Sequence, residues 1–350
     1  MSKKNGKRTG LRVVLTALCI VLGIVLAVML GGTIYAEYLL NQVNYIPEDE
    51  TQPTLSAEEL LQLEQELEEE AADPEFPGPE LTDEDVSFGE GPQVEIAGEE
   101  IINILLIGKD GSGSRSRTDS MILCTFNVDD NTITLTSFMR DMYVKIPGHS
   151  NSRINAAYAY GGMKLLNETL YENFGIQVDG NVEVDFDHFE DFINYLGGVT
   201  LELTKSEAAY INKWVPNKRV GSGIQKLNGA QALMHARNRN STDGDFSRTS
   251  RQRQLLTALV NEYKSKSLTE MVGMMDDILP MVSTDISKGD ILDYVTELAP
   301  MLASAELISQ RIPIDGSYRN ASIDGASVLV VDMDMNRIHL VETLMGPGVG

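Results

Sequence analysis

Residues 235–254 read HARNRNSTDGDFSRTSRQRQ and place Arg237, Arg239, Arg248, Arg251 and Arg253 in a stretch without lysine. Arginine presents a planar fork of donors that meets a carboxylate or phosphate at two points, whereas lysine offers a point charge. Such a run reads as a geometric anion clamp. Arg248, Arg251, Gln252, Leu255, Leu256 and Leu259 follow i, i+3, i+4 steps, so an arginine stripe passes into an apolar stripe along one helix face. Arginine in a first helical turn opposes the positive end of the helix dipole. The placement becomes favourable once an anion sits there, gripped by backbone N–H groups and guanidinium forks together. The plainer alternative is a solvated helix end whose charges meet Asp243 and Asp245.

Two further segments carry charge where chemistry needs it. In LLIGKDGSGSRSRTDSMIL (105–123) a Gly/Ser loop joins two strand-like runs, with Asp110 ending the first and Arg115, Arg117 and Asp119 following. The loop lacks the Gly-Lys-Ser/Thr ending of a phosphate-cradling loop and opens no helix as a dinucleotide turn does. Two carboxylates flanking it suit a hard cation, since Mg²⁺ commonly takes one or two carboxylates plus phosphate oxygens; turn residues in a hairpin are the plainer account. In SFMRDMYVKIPG (137–148), Arg140 and Asp141 end an apolar run, and Arg153 follows in SRINAAYAYGG (152–162). The histidines, His149, His188, His235 and His339, show no metal spacing, and no nucleophile elbow is present. His235, beside the arginines, reads as packed or locally hydrogen-bonded.

The elements that must position these groups are legible from periodicity. Strand-like runs occupy 103–108, 120–128 and 132–139, the last two joined by an Asp129-Asp130-Asn131 turn. Helical patterns cover 156–174 and 186–196, a strand covers 198–204, and helices follow near 206–214, 228–236 and 249–265. Met/Leu-rich helical stretches at 268–282 and 291–303 precede a strand at 307–313 and a helix across 328–345. The expectation is one α/β domain, a single mixed sheet flanked by helices, over 101–346.

Ahead of it the chain changes character. The net charge of −24 is uneven: residues 47–100 carry twenty acidic and no basic residues, while 101–350 is only mildly acidic. A broad basic surface for nucleic acid is absent, and no nucleic-acid partner is expected. Lys3, Lys4, Lys7, Arg8 and Arg12 precede the apolar run Val13–Tyr35, long enough for a membrane-spanning helix. The expected order is a basic cytoplasmic segment (1–12), an uncleaved anchor (13–35), an acidic extracellular stalk (36–100) and the folded domain outside the cell. Within the stalk, 57–73 reads as a solvated helical piece or a short dimerising coiled coil. The cysteines, Cys19 in the apolar run and Cys124, form no disulfide framework; Cys124 reads as core.

Taken in order, LLIGKD (105–110), RTDSMIL (117–123), SFMRD (137–141), VKIPG (144–148), RINAAYAYGG (153–162), YLGGVTLEL (195–203), LNGAQALMHARNR (227–239) and DFSRTSRQRQ (245–254) resemble the LytR-CpsA-Psr family. The resemblance implies an LCP-like, Mg²⁺-dependent phosphotransferase of cell wall biogenesis. It would move a glycopolymer, such as a teichoic acid or capsule, from a polyprenyl-pyrophosphate carrier onto a peptidoglycan acceptor through a phosphodiester. It also implies that Asp110 and Asp119 hold Mg²⁺, that Arg117, Arg140, Arg237, Arg239, Arg248 and Arg251 cradle the pyrophosphate, and that Gln252 and Asp245 orient that array. Asp110 or Asp119 would assist deprotonation of the acceptor, and the leucine face of the arginine helix with the Met-rich helices would wall an apolar tunnel. Three positions depart from the family pattern: Met139 for proline, Arg153 for lysine and His235 for an aromatic residue. A lipid-pyrophosphate hydrolase and a non-catalytic lipid- or polymer-binding regulator share the same clamp and stay open as alternatives.

Overall fold

A computed structural model describes residues 33–47, 62–63, 78–91, 93–110, 117–185, 189–238, 244–264 and 279–346. Along the chain these form α1 (Thr33–Leu40), β1 (Asn44–Tyr45), β2 (Glu80–Leu81), β3 (Ile101–Asp110), β4 (Arg117–Asn127), β5 (Thr132–Phe138), β6 (Tyr143–Val144), β7 (Ser152–Arg153), α2 (Ile154–Phe174), β8 (Gly180–Asp185) and α3 (Phe189–Tyr195). There follow β9 (Val199–Leu203), α4 (Lys205–Trp214), β10 (Gly223–Leu227), α5 (Gly229–Arg237), α6 (Gly244–Lys264), β11 (Val282–Thr284), α7 (Lys288–Ser304), β12 (Glu306–Ile312), β13 (Tyr318–Ile323), β14 (Ala326–Val331) and α8 (Met333–Leu344). The fold is α/β, and among the described residues the largest sheet has seven strands and is mixed.

The described residues fall into two compact units, one within 33–45, 106–110 and 182–307, the other within 46–105, 117–181 and 308–346. In the first unit β1 pairs in parallel with β11, which pairs antiparallel with β8. Strands β9 and β10 pair antiparallel, Val199 with Leu227; α6 packs on β9 and α5 on β10, and α5 also packs against α4 and α6. The apolar stripe expected on α6 is core: Leu255, Leu256 and Leu259 are fully buried. Each such side chain contributes about 1.5–3 kcal/mol on leaving water. The helix begins earlier than the pattern indicated, at Gly244.

In the second unit β4 and β5 form the expected hairpin, registering Met121 with Phe138 and Asn127 with Thr132 around a turn in which Asn131 has a positive φ of 50°. Cys124 is buried on β4, as expected of a small core residue. Helix α2 ends at Gly175 (φ 72°), where an added Cβ would strike the Val94 carbonyl oxygen; only glycine meets both demands cheaply.

Several expected boundaries move. The helix expected across 328–345 is a strand followed by a helix: the β-branched run Val328, Val330, Val331 pairs with β13, and α8 starts after Asp332, whose carboxylate caps the Met335 N–H at 3.0 Å. Strands β10 and β13 lie in stretches where no strand was expected. Of the Met-rich stretch 268–282, residues up to 278 lie outside the described residues; Leu279–Met281 is a 3₁₀ turn and Val282 opens β11.

Part of the expected stalk is folded. Glu80 and Leu81 pair in parallel with Ser322 and Ile323, and Leu81, Val86 and Phe88 pack on a cluster of Tyr143, Ala321, Ile323, Val328 and Val330. Tyr143 donates its hydroxyl hydrogen to Asp83 at 2.9 Å, and Ile96 is fully buried. The second unit thus includes chain ahead of the boundary expected at 101. The expected membrane span lies mostly outside the described residues, among which no helix is long and apolar enough to cross a membrane.

Candidate functional site

A capping box starts the construction. Thr204 caps α4, and Glu207 returns the bond, its Oε2 accepting from the Thr204 N–H (2.9 Å) and hydroxyl (2.8 Å). That leaves Oε1, which accepts from Arg251 Nε on α6 at 2.7 Å, both side chains being only 11% exposed. The same guanidinium donates from Nη1 to the carbonyl of Asn238, at the end of α5, at 2.5 Å. Two of its three nitrogens are fixed by protein, so the fork has one orientation. Arg251 is therefore aimed rather than merely present.

The charge balance around it follows from burial. Burial pushes the Glu207 carboxyl up, but the hydrogen bonds from Arg251 and Thr204 outweigh it and hold the group at about 2. Glu207 is ionised at neutral pH and cancels most of the field of Arg251. Net attraction for an anion must then come from the neighbouring arginines. His235, on α5, is fully buried, and neither ring nitrogen has a hydrogen-bond partner among the described residues. Burial lowers its pKa to about 4 and the Arg251 charge pushes the same way, against the pull of Glu207. It is neutral and packed, the first of the two readings expected for it, and no local hydrogen bond to it is present among the described residues. Gln252, beside Arg251 on α6, is 2% exposed, with its Nε2 likewise unpartnered.

In the second unit, Arg140 follows β5 and meets Asp141 at 3.5 Å. Asp141 also takes Arg153 Nη1 at 3.3 Å, and Arg153 is tied into the β6–β7 ladder opposite Tyr143. The arginine that stands where the family pattern has lysine thus shares one carboxylate with Arg140.

The other expected residues are placed by backbone alone. Asp110 is the last residue of β3, Arg117 opens β4 and Asp119 follows two positions on, while Asp245 and Arg248 lie in the first turns of α6. Their side chains, and the whole of Arg239, lie outside the described residues. Arg237 ends α5. For Mg²⁺ the donor type fits, because Asp110 and Asp119 offer carboxylate oxygens on either side of 111–116. Among the described residues no group of three or more His, Cys, Asp or Glu side chains is arranged to hold a metal. Sequence reasoning missed Glu207 and the Asn238 carbonyl. A signal for the first existed in Thr204-x-x-Glu207, but it announces a helix start and says nothing about an arginine far along the chain.

Fold and site define an α/β protein whose arginine helix carries a buried, oriented guanidinium. Residues 77–339 match the model of the LytR_cpsA_psr family, and the chain belongs to that family. It is 33% identical over 242 residues to the regulatory protein MsrR of Staphylococcus aureus (strain Mu50), covering 67% of this chain and 72% of that protein. To the polyisoprenyl-teichoic acid–peptidoglycan teichoic acid transferase TagT of Bacillus subtilis (strain 168) it is 33% identical over 219 residues, covering 60% and 67%. A solved structure of TagT bound to LIIa-WTA superposes with a TM-score of 0.59 at 26% identity, covering 77% of this chain and 100% of that one.

Proposed function

We propose that this protein is a glycopolymer transferase that takes a polymer from a polyprenyl-pyrophosphate carrier and joins it to a peptidoglycan hydroxyl through a phosphodiester. The observation that carries the reading is Arg251, a guanidinium whose orientation is fixed by bonds from Nε to Glu207 and from Nη1 to Asn238, in a chain similar to a named teichoic acid transferase. In the step, the acceptor oxygen bonds the phosphorus that bears the polymer. The bond from that phosphorus to the bridging oxygen breaks, and polyprenyl phosphate leaves with the electron pair. The hydroxyl proton passes to Asp110 or Asp119.

Attack on a pyrophosphate shifts negative charge towards the leaving phosphate, and prealigned donors stabilise it without reorganising. Arg117, Arg140, Arg237, Arg239, Arg248 and Arg251 would supply those donors, with Gln252 and Asp245 orienting them. Mg²⁺ held by Asp110 and Asp119 would neutralise phosphate charge when bound. In this reading 13–35 anchors the chain and the catalytic part faces outward.

The test incubates the full-length chain with a polyprenyl-pyrophosphate-linked saccharide, Mg²⁺ and a peptidoglycan oligomer, and follows products by mass spectrometry beside Arg251→Ala and Asp119→Ala. Phosphodiester-linked product lost in both variants is expected. Products formed with water alone would replace transfer by hydrolysis. Lipid binding without turnover would leave a binding protein, and one relative carries a regulatory name.

A further inference from the structure

We propose that the segment from Lys213 to Ile224 docks on an anionic lipid surface. In a chain of net charge −24, residues 208–242 contain no Asp or Glu, yet include Lys213, Lys218, Arg219 and Lys226. The structure turns the first three of these cations outward. Lys226 is spent on Glu262 at 3.1 Å, whereas Lys213, Lys218 and Arg219 have no ion-pair partner among the described residues.

Large apolar side chains stand among these cations. Trp214 is 56% exposed at the end of α4 and Ile224 is 75% exposed on β10. Tyr210 lies beside the indole (centroids 6.3 Å apart), and Lys213 Nζ stands 5.3 Å from its centre. The exposure is built in. The turn that joins α4 to β10 is closed by a reciprocal pair, the Asn212 amide donating to the Val220 carbonyl (2.8 Å) and the Val220 N–H donating to Asn212 Oδ1 (2.9 Å). Strand β10 is registered against β9, with Ile224 opposite Glu202. Of the acids that meet this segment, Glu202 lies opposite Ile224 and Glu262 is already paired with Lys226.

An anionic polymer would satisfy the cations but gives an exposed isoleucine nothing to do. A bilayer surface satisfies both chemistries. Tryptophan and aliphatic side chains enter the headgroup boundary, and lysine and arginine meet its negative charge. This inference is independent of the transfer reaction and survives its failure.

The chain contains one tryptophan, so its fluorescence reports this position directly. Vesicles with brominated acyl chains are titrated into the full-length protein, in phosphatidylglycerol and phosphatidylcholine forms. Quenching and a blue shift of Trp214 are expected with the anionic lipid and not with the zwitterionic one. Removing the Lys218 and Arg219 charges by K218Q/R219Q weakens docking by on the order of 30-fold. Ile224→Ser, a surface change that leaves the cations in place, reduces the depth of quenching. Equal quenching by both lipids, none by either, or no response to K218Q/R219Q overturns the proposal. So does a lipid-free glycerol-phosphate polymer that shifts the emission as much as vesicles do.

Discussion

Arg251 meets Glu207 at 2.7 Å with both side chains 11% exposed, whereas Arg140 meets Asp141 at 3.5 Å with side chains 20% and 22% exposed. The first carboxylate is anchored by a helix cap and serves one arginine; the second is shared with Arg153. Residue type is the same in both places, but the geometry assigns different work. The tight pair fixes a direction, and the loose pair supplies charge that can adjust. Deeper burial and a shorter contact make the first pair more expensive to break than the second.

The largest effect expected from that contrast is on stability. Arg251→Ala leaves Glu207 buried without its counter-charge and should cost about 3–5 kcal/mol by urea denaturation; a loss below about 1 kcal/mol would erase the distinction between the two sites. Replacing both partners together, Glu207→Leu with Arg251→Leu, should recover much of that stability while leaving transfer abolished, because no buried charge remains.

Next in size is a pH effect. His235 is neutral in the fold with its pKa lowered to about 4, below its ordinary value near 6.5. Its contribution is therefore complete above about pH 6.5 and is lost as pH falls towards 4. Between pH 7 and pH 5 the protein should lose about 2 kcal/mol. His235→Phe should flatten that slope in denaturation curves, and an unchanged slope would place the acid sensitivity elsewhere. Glu207, also lowered, adds its own loss only as pH falls from about 4.5 towards 2. The smallest effect belongs to the loose pair: Arg140→Ala should change stability by under about 1 kcal/mol. It should still depress turnover in the transfer assay, and a large stability loss would show that Arg140 is as locked as Arg251.

What could be read in the sequence follows physical locality. The stripe Leu255, Leu256, Leu259 and the β4–β5 hairpin were legible because burial imposes a period on nearby residues. Glu207 was not, since its partner lies 44 positions away and the local pattern around it is satisfied by helix capping alone. Val328–Val331 failed for a related reason: a short apolar run flanked by a helical pattern is ambiguous until its partner strand, β13, is known. The arginines were conspicuous, but the orientation of Arg251 depends on a carbonyl at Asn238, and backbone acceptors leave no residue-type signature.

The pairing of Glu80–Leu81 with Ser322–Ile323 has a practical consequence for anyone preparing this protein. A recombinant version begun at Ile101, where the sequence texture changes, would delete β2 and strip Leu81, Val86 and Phe88 from their cluster. It would bare the edge of β13 as a row of backbone donors and acceptors with no neighbour, a template on which other chains assemble. Clones begun upstream of Gly78 should stay monodisperse at concentrations where those begun at Ile101 precipitate.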